Sequence, residues 1–134
     1  MAGSQNQPTA TLTAGATFGT TDLHKFIAIN STGHAVIGPT TASGNIFGTL
    51  LSVTGTTVGA GVEVVTVGLL SGVGLVRMSS STAAAGNTVA ASSLGLGTAP
   101  TTDQAALGVI KEGSSGALNR IATVAWIAAS AADV

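Results

Sequence analysis

Apolar and polar residues alternate over short stretches of this chain. The alternation breaks at clusters of Gly, Asn, Ser and Pro, which is the pattern of β-strands separated by turns. Segments 25–30 (KFIAIN) and 34–37 (HAVI) carry it most clearly. Between them Asn30-Ser31-Thr32-Gly33 supplies hairpin chemistry, because Asn and Gly tolerate positive φ. Further strands are expected at 9–13, 45–53, 62–70, 73–78, 88–91, 105–111 and 118–127. One helical turn is expected within 20–25, capped by Thr20 or Thr21. Helical periodicity is weak elsewhere, and nineteen glycines argue against long helices. Segments 79–87 and 94–103 read as exposed loops.

Several of these strands are apolar on both faces. Val62 and Val64 oppose Val65 and Val67; Leu118, Val124 and Trp126 oppose Ile121, Ala125 and Ile127. A sheet with one wet face alternates apolar with polar, so two-sided strands imply a barrel or sandwich whose outer face is also covered, by another subunit. The residues expected to pack the core or a subunit contact are Phe26, Ile27, Ile29, Phe47, Val64, Val65, Val67, Val124, Trp126 and Ile127. The expected fold is all-β, a small β-barrel-like domain over 14–127. An N-terminal arm, 1–13, precedes it and a tail, 128–134, follows. One local duplication stands out: Phe47-Gly48-Thr49-Leu50-Leu51 and Leu107-Gly108-Val109-Ile110-Lys111 share an apolar-Gly-x-apolar core. The glycine in each marks a bulge or a close backbone approach. Two copies are too few for a solenoid.

Composition changes the picture at one point. The 134 residues suffice for one ordinary domain, and Leu, Ile, Val and Phe make about a quarter of them, above the ~20% below which a chain cannot bury enough to fold. Charged residues, however, are only 7%, against about 25% in an average domain. Asp22, Lys25, Glu63, Arg77, Asp103, Lys111, Glu112, Arg120 and Asp133 are all there are, with a net charge of −1. A surface of Thr, Ser, Gly and Ala suits a protein that packs against copies of itself or a partner. Four scattered basic residues make no track for a phosphate backbone, so no nucleic-acid partner is expected. The absence of Cys excludes disulfides and thiol chemistry. The N-terminus carries no signal-peptide pattern. Segment 58–76 is the most apolar, but Glu63, Thr66, Ser71 and its glycines interrupt it, so no membrane span is expected.

The search for chemistry returns little. His24 and His34 lie on different expected elements, and Asp22 beside His24 lacks a third ligand, so no metal site is expected. No Gly-x-Ser-x-Gly elbow, paired carboxylates or phosphate-binding loop occurs, and Gly59-Ala60-Gly61 and Gly72-Val73-Gly74 lead into no helix. The reading is a non-enzymatic structural protein without cofactors. The weaker alternative is a small binding module or enzyme with a pocket lined by Asp22, His24 and His34.

The order of segments resembles the capsid decoration, or cement, proteins of tailed bacteriophages. The resemblance rests on four features: the Thr/Ala-rich opening over 9–14; the hairpin FIAINSTGHAVI; IFGTLLSV with Gly59-Ala60-Gly61-Val62 leading into VEVVTVG; and Ala84-Ala85-Gly86-Asn87-Thr88-Val89 followed by ALGVIKEG and a closing strand over 120–127. It spans about residues 9–127, and departs from many relatives in its scarce charge and its Ser/Thr/Ala-rich stretch over 79–102. It implies a tulip-like β fold and a homotrimer on the outer surface of the virion, bound across neighbouring major capsid protein subunits. It also implies an arm that orders on the capsid and adds a strand to it. By position that arm is Ser4, Gln5, Asn6, Gln7, Pro8, Thr9, Ala10, Thr11, Leu12 and Thr13. A tail-tube, fibre or head-fibre subunit is the alternative assembly role.

Overall fold

The computed structural model describes residues 8–39, 46–53, 64–79, 84–100, 106–112 and 121–127, and the backbone of 57–58. Among them are twelve short strands: β1 (Thr9–Thr13), β2 (Phe18–Gly19), β3 (Phe26–Ile29), β4 (Ala35–Ile37), β5 (Ile46–Val53), β6 (Thr57–Val58), β7 (Val64–Leu69), β8 (Val73–Arg77), β9 (Thr88–Ala91), β10 (Gly97–Thr98), β11 (Gly108–Glu112) and β12 (Ile121–Trp126). The single helical turn among the described residues is a 3-10 turn, Thr20–Asp22. Its cap differs from expectation. Extended Gly19 occupies the cap position, and the Asp22 carboxylate reaches back to accept the Gly19 N–H at 2.9 Å.

The all-β expectation holds, but the sheets are not closed barrels. One five-stranded antiparallel sheet has the order β1-β7-β5-β3-β4 and a second has β10-β9-β11-β12-β8, with β2-β6 as a separate pair. In each sheet a single parallel bridge joins the two edges, Ala14 to Ala35 in the first and Met78 to Gly97 in the second.

Read from β1 and from β8, the two sheets are the same object. The first runs β1-β7-β5-β3-β4 and the second β8-β12-β11-β9-β10. Their registers match across β1, β7 and β5 and the counterparts β8, β12 and β11, while β3 adds a step of its own at Ile27/Ala28. Thr9↔Gly68 and Thr13↔Val64 correspond to Val73↔Ala125 and Arg77↔Ile121. Gly48↔Leu69, Leu50↔Val67 and then, past a bulge, Ser52↔Thr66 correspond to Gly108↔Trp126, Ile110↔Val124 and, past the same bulge, Glu112↔Thr123. Ile27↔Gly48 corresponds to Val89↔Gly108, and Ile29↔Ala35 to Ala91↔Gly97. The local duplication seen around Gly48 and Gly108 therefore extends over the whole body: repeat 1 spans residues 8–70 and repeat 2 residues 72–127.

The turns repeat as well. In repeat 1 the Asn30 N–H donates to the His34 carbonyl, and the N–H of Gly33, at φ +85°, donates to the Asn30 carbonyl. In repeat 2 Ser92 bonds to Leu96, and Gly95, at φ +79°, to Ser92. Segment 94–103, read from sequence as an exposed loop, thus contains β10 and the buried residues Leu96 and Gly97. It is the counterpart of the hairpin that ends in β4. His24 at φ +70° matches Gly86 at φ +93°; their N–H groups bond to the equivalent carbonyls of Leu50 and Ile110. A left-handed backbone there is natural for Gly and strained for His.

Alternation along the strands divides the buried side chains into two cores. Ala14, Ile27, Leu50, Val65 and Val67 form the centre of repeat 1's core, closed by Phe18 from β2 with Ala16 and Leu23. The same positions in repeat 2, Met78, Val89, Ile110, Ala122 and Val124, form the centre of the other. Joining them is Phe26, which leaves repeat 1 on the opposite face of β3 from Ile27. It lies fully buried in repeat 2's core, 6.0 Å from Trp126 in an edge-to-face contact.

Candidate interaction surfaces

Each sheet has one face on its own core and a second, outer face. In repeat 1 part of that outer face, at Phe26, Ile46 and buried Thr49, lies beneath repeat 2. The rest is lined by exposed Thr9, Thr11 and Ser52, with Thr13 and Thr66 half-buried and Val64 at 47% exposure. Strand pairing sets Thr11, Thr66 and Ser52 in one row across three strands. These side chains carry hydroxyls and no charge, so burying them against a partner involves no ion desolvation.

The equivalent face of repeat 2 is aliphatic. Leu75 is 40% exposed and Ile121 36%, with Val73, Val109 and Ala125 half-buried beside them. Arg77, Lys111 and Glu112 stand at its margins. Leu94, at the tip of repeat 2's hairpin turn, is 67% exposed. The expectation of two-sided strands is met in composition. On the outer faces Val64, Leu75 and Ile121 are exposed in the single chain, and Val62 and Leu118 lie outside the described residues.

Most of the residues expected to pack are found in the two cores. Phe26, Ile27, Val65, Val67, Val124 and Trp126 are buried; Ile29, Phe47 and Ile127 are half-buried. Val64, expected in the core or at a subunit contact, lies outside the core: it points from β7 to the outer face, because Val65 and Val67 take the core side of the alternation. Of the expected arm, Ser4, Gln5, Asn6 and Gln7 lie outside the described residues. Thr9, Ala10, Thr11, Leu12 and Thr13 are strand β1, hydrogen-bonded along β7 with Leu12 against the first core. That stretch is an edge strand of the body.

Four titratable side chains, Asp22, His24, Lys25 and Arg77, gather at the joint between the repeats. Asp22 bonds the Lys25 ammonium at 2.9 Å. Burial alone would raise the Asp22 carboxyl, but the Gly19 N–H, Lys25 and Arg77 outweigh it and hold the group below the ordinary carboxylate range. Burial, and then the nearby Arg77 guanidinium, push His24 below the ordinary imidazole value. Its Nδ1 is buried without a hydrogen-bond partner among the described residues, as are Thr49 Oγ1 and Trp126 Nε1. The Arg77 Nε donates to the Leu23 carbonyl at 2.8 Å, and its backbone N–H to the His24 carbonyl at 2.9 Å. These contacts fasten one sheet to the other. His34 lies away in the β3–β4 hairpin, its N–H donating to Asn30 Oδ1 at 2.9 Å. Among the described residues no three His, Asp or Glu side chains are grouped to hold a metal, and no helix is long and apolar enough to cross a membrane.

Sequence reasoning named Ile121 and Ala125 as one face of a two-sided strand but missed that β8 extends the outer face of repeat 2 beside them. Its signal was present in Val73, Leu75, Ile121 and Ala125 at alternate positions of two strands. A comparison with models of known protein families finds none that matches this sequence, and a comparison with curated proteins likewise finds no match.

Proposed function

We propose that the protein is a capsid decoration protein, bound to the outside of the assembled head of a tailed bacteriophage across neighbouring major capsid subunits, which it stabilises. The observation that carries this reading is the union of a 7% charge content with two outer sheet faces, one hydroxyl-lined and one aliphatic with charge only at its margins. Such faces suit permanent residence in an assembly better than free existence in solvent. The segment order that resembles cement proteins supports the same role. A regular lattice multiplies weak identical contacts, so no single dominant residue is required of each copy. In this reading the protein works as a homotrimer on the virion surface and performs no catalysis.

The test is cryo-electron microscopy of expanded, undecorated heads incubated with the full chain and with a chain lacking residues 1–7, a deletion that leaves β1 in place. Regular density on the capsid faces is expected. Its loss on deletion assigns the anchor to the arm, and its persistence assigns it to the sheet faces. Bare capsids with both proteins overturn the reading and favour a tail-tube or fibre role.

A further inference from the structure

The contact between the two repeats is heterologous: repeat 1 offers one surface and repeat 2 a different one. Repeat 2 inserts its hairpin turn and the end of β8. The Gly95 carbonyl accepts the Phe26 N–H at 2.7 Å, and the Arg77 N–H reaches the His24 carbonyl at 2.9 Å. Gly95 is buried, and a Cβ built on it would stand 2.7 Å from Ile37 Cγ2 and 3.4 Å from Lys25 Cβ. The turn is therefore seated tightly on the 24–26 segment of repeat 1.

Because the two repeats share fold and register, each surface exists twice, and the internal joint uses each of them once. The turn equivalent to Ser92–Gly95 is Asn30–Gly33 of repeat 1. Gly33 has the same left-handed backbone as Gly95 but is exposed, with nothing within 4 Å of a built Cβ. The seat equivalent to His24, Lys25 and Phe26 is Gly86, Asn87 and Thr88 of repeat 2, all exposed. A heterologous contact whose two halves remain open at opposite ends of one chain can be satisfied by the next chain.

We infer that a second copy of this chain docks head to tail, the Asn30–Gly33 turn of one copy seating on the Gly86–Thr88 segment of the next and so continuing the internal joint between repeats. By equivalence with Gly95 and Phe26, the Gly33 carbonyl accepts the Thr88 N–H of the neighbour. The contact between chains lacks the internal plug, since Thr88 stands where repeat 1 has Phe26. It is therefore weaker than the internal joint, and it forms and releases with concentration. The adjoining aliphatic face at Leu75 and Ile121 extends the area available to the incoming copy. Successive copies close into a ring if the rotation per chain divides a full turn, and otherwise continue as a filament.

The inference does not depend on the capsid reading, and it is tested in solution without any particle. The chain has no cysteine, so Thr32→Cys and Asn87→Cys can be made singly and treated with a short bismaleimide. Cross-linked dimers are expected from the mixture of the two variants and from neither alone. Sedimentation velocity of the unmodified chain is expected to show association that rises with concentration, and Thr88→Arg to weaken it at least ~10-fold with unchanged circular dichroism. Thr88 is exposed, so that variant folds. A chain that sediments as a monomer up to its solubility limit overturns the inference. So does cross-linking of either variant with itself as readily as with the other, or a Thr88→Arg chain that associates like the parent.

Discussion

Repeat 1 and repeat 2 have one strand order and share the bulge at Leu50/Ser52 and Ile110/Glu112, yet they close their cores differently. Repeat 1 is closed by Phe18, Ala16 and Leu23 from its own chain segment. Repeat 2 takes in Phe26 and Ile46 from its neighbour. The backbone plan tolerates this because it resides in turns, bulges and close approaches. The identity of the side chain that plugs each core is free to differ. What the difference teaches is that β3 and β9, equivalent in their place in the sheet, have opposite fates. Position 26 is the hinge pin of the molecule, while position 88 is surface.

The sharpest way to break that comparison is to truncate both positions. Phe26→Ala is expected to destabilise the protein by about 3–5 kcal/mol, since it empties a fully buried aromatic site. Thr88→Ala should change stability by less than ~0.5 kcal/mol, as at an ordinary exposed site. Chemical denaturation measures both; similar costs would show that the repeats are joined in some other way.

Next in size are the paired glycines. A Cβ on Gly48 would collide with the Gly68 carbonyl, and one on Gly108 would stand 2.5 Å from Val124 Cγ1 and 2.7 Å from the Ala125 carbonyl. Each Gly→Ala variant is expected to cost about 1–3 kcal/mol. Gly48 should be the costlier, because backbone yields less than a side chain. A harmless alanine at either position, read by thermal melting, would mean that β5 and β7, or β11 and β12, do not approach as described.

The hairpin turns sharpen the comparison further. Asn30 Oδ1 accepts the Thr32 N–H at 3.0 Å, the Thr32 hydroxyl at 2.7 Å and the His34 N–H at 2.9 Å. Ser92 Oγ accepts only the Leu94 and Leu96 N–H groups, both at 3.3 Å. Asn30→Ala should cost about 1–2 kcal/mol and Ser92→Ala less than ~1 kcal/mol. The order of their denaturation midpoints checks it.

The smallest difference is in acid response. His24 faces Arg77, Asp22 and Lys25, and its folded value lies below the ordinary imidazole value. The native state thus resists the proton more than the unfolded chain does. The associated stability is complete above about pH 6.5 and is lost as pH falls from there through the folded value. Asp22, also depressed, acts in the same direction but only in the carboxylate range. His24→Asn, which tolerates positive φ, should flatten the fall in melting temperature between about pH 7 and 5. Repeat 2 carries Gly86 there and has no counterpart. An unchanged slope in the variant would remove His24 from the account.

Much of the strand plan was legible because each strand is bounded by turn chemistry. Asn30 to Gly33 announced its hairpin, and β9 ends where its apolar run ends. The duplication was visible only around Gly48 and Gly108. There the same backbone approach demands the same residue, whereas many other equivalent positions hold different side chains: His24 and Gly86, Phe26 and Thr88, Leu69 and Trp126. Strand β10 was hidden because two small residues, Gly97 and Thr98, carry no apolar pattern. Whether Val64 faced the core or a subunit contact was not legible, because alternation names two faces without saying which one is covered. The outer faces, which carry the functional proposal, needed the register before Leu75 and Ile121 could be placed together.

The central claim is that one chain builds the same five-stranded unit twice. Cross-strand Hα–Hα contacts in a nuclear Overhauser spectrum test it most directly, since they report which residues oppose one another without reference to side-chain identity. The account predicts that the contacts among β1, β7 and β5 map one-to-one onto those among β8, β12 and β11, with the step at Leu50/Ser52 repeated at Ile110/Glu112, while β3 adds a step of its own at Ile27/Ala28. Loss of the shared step from either sheet, or a different register between β1 and β7 or between β8 and β12, would contradict it.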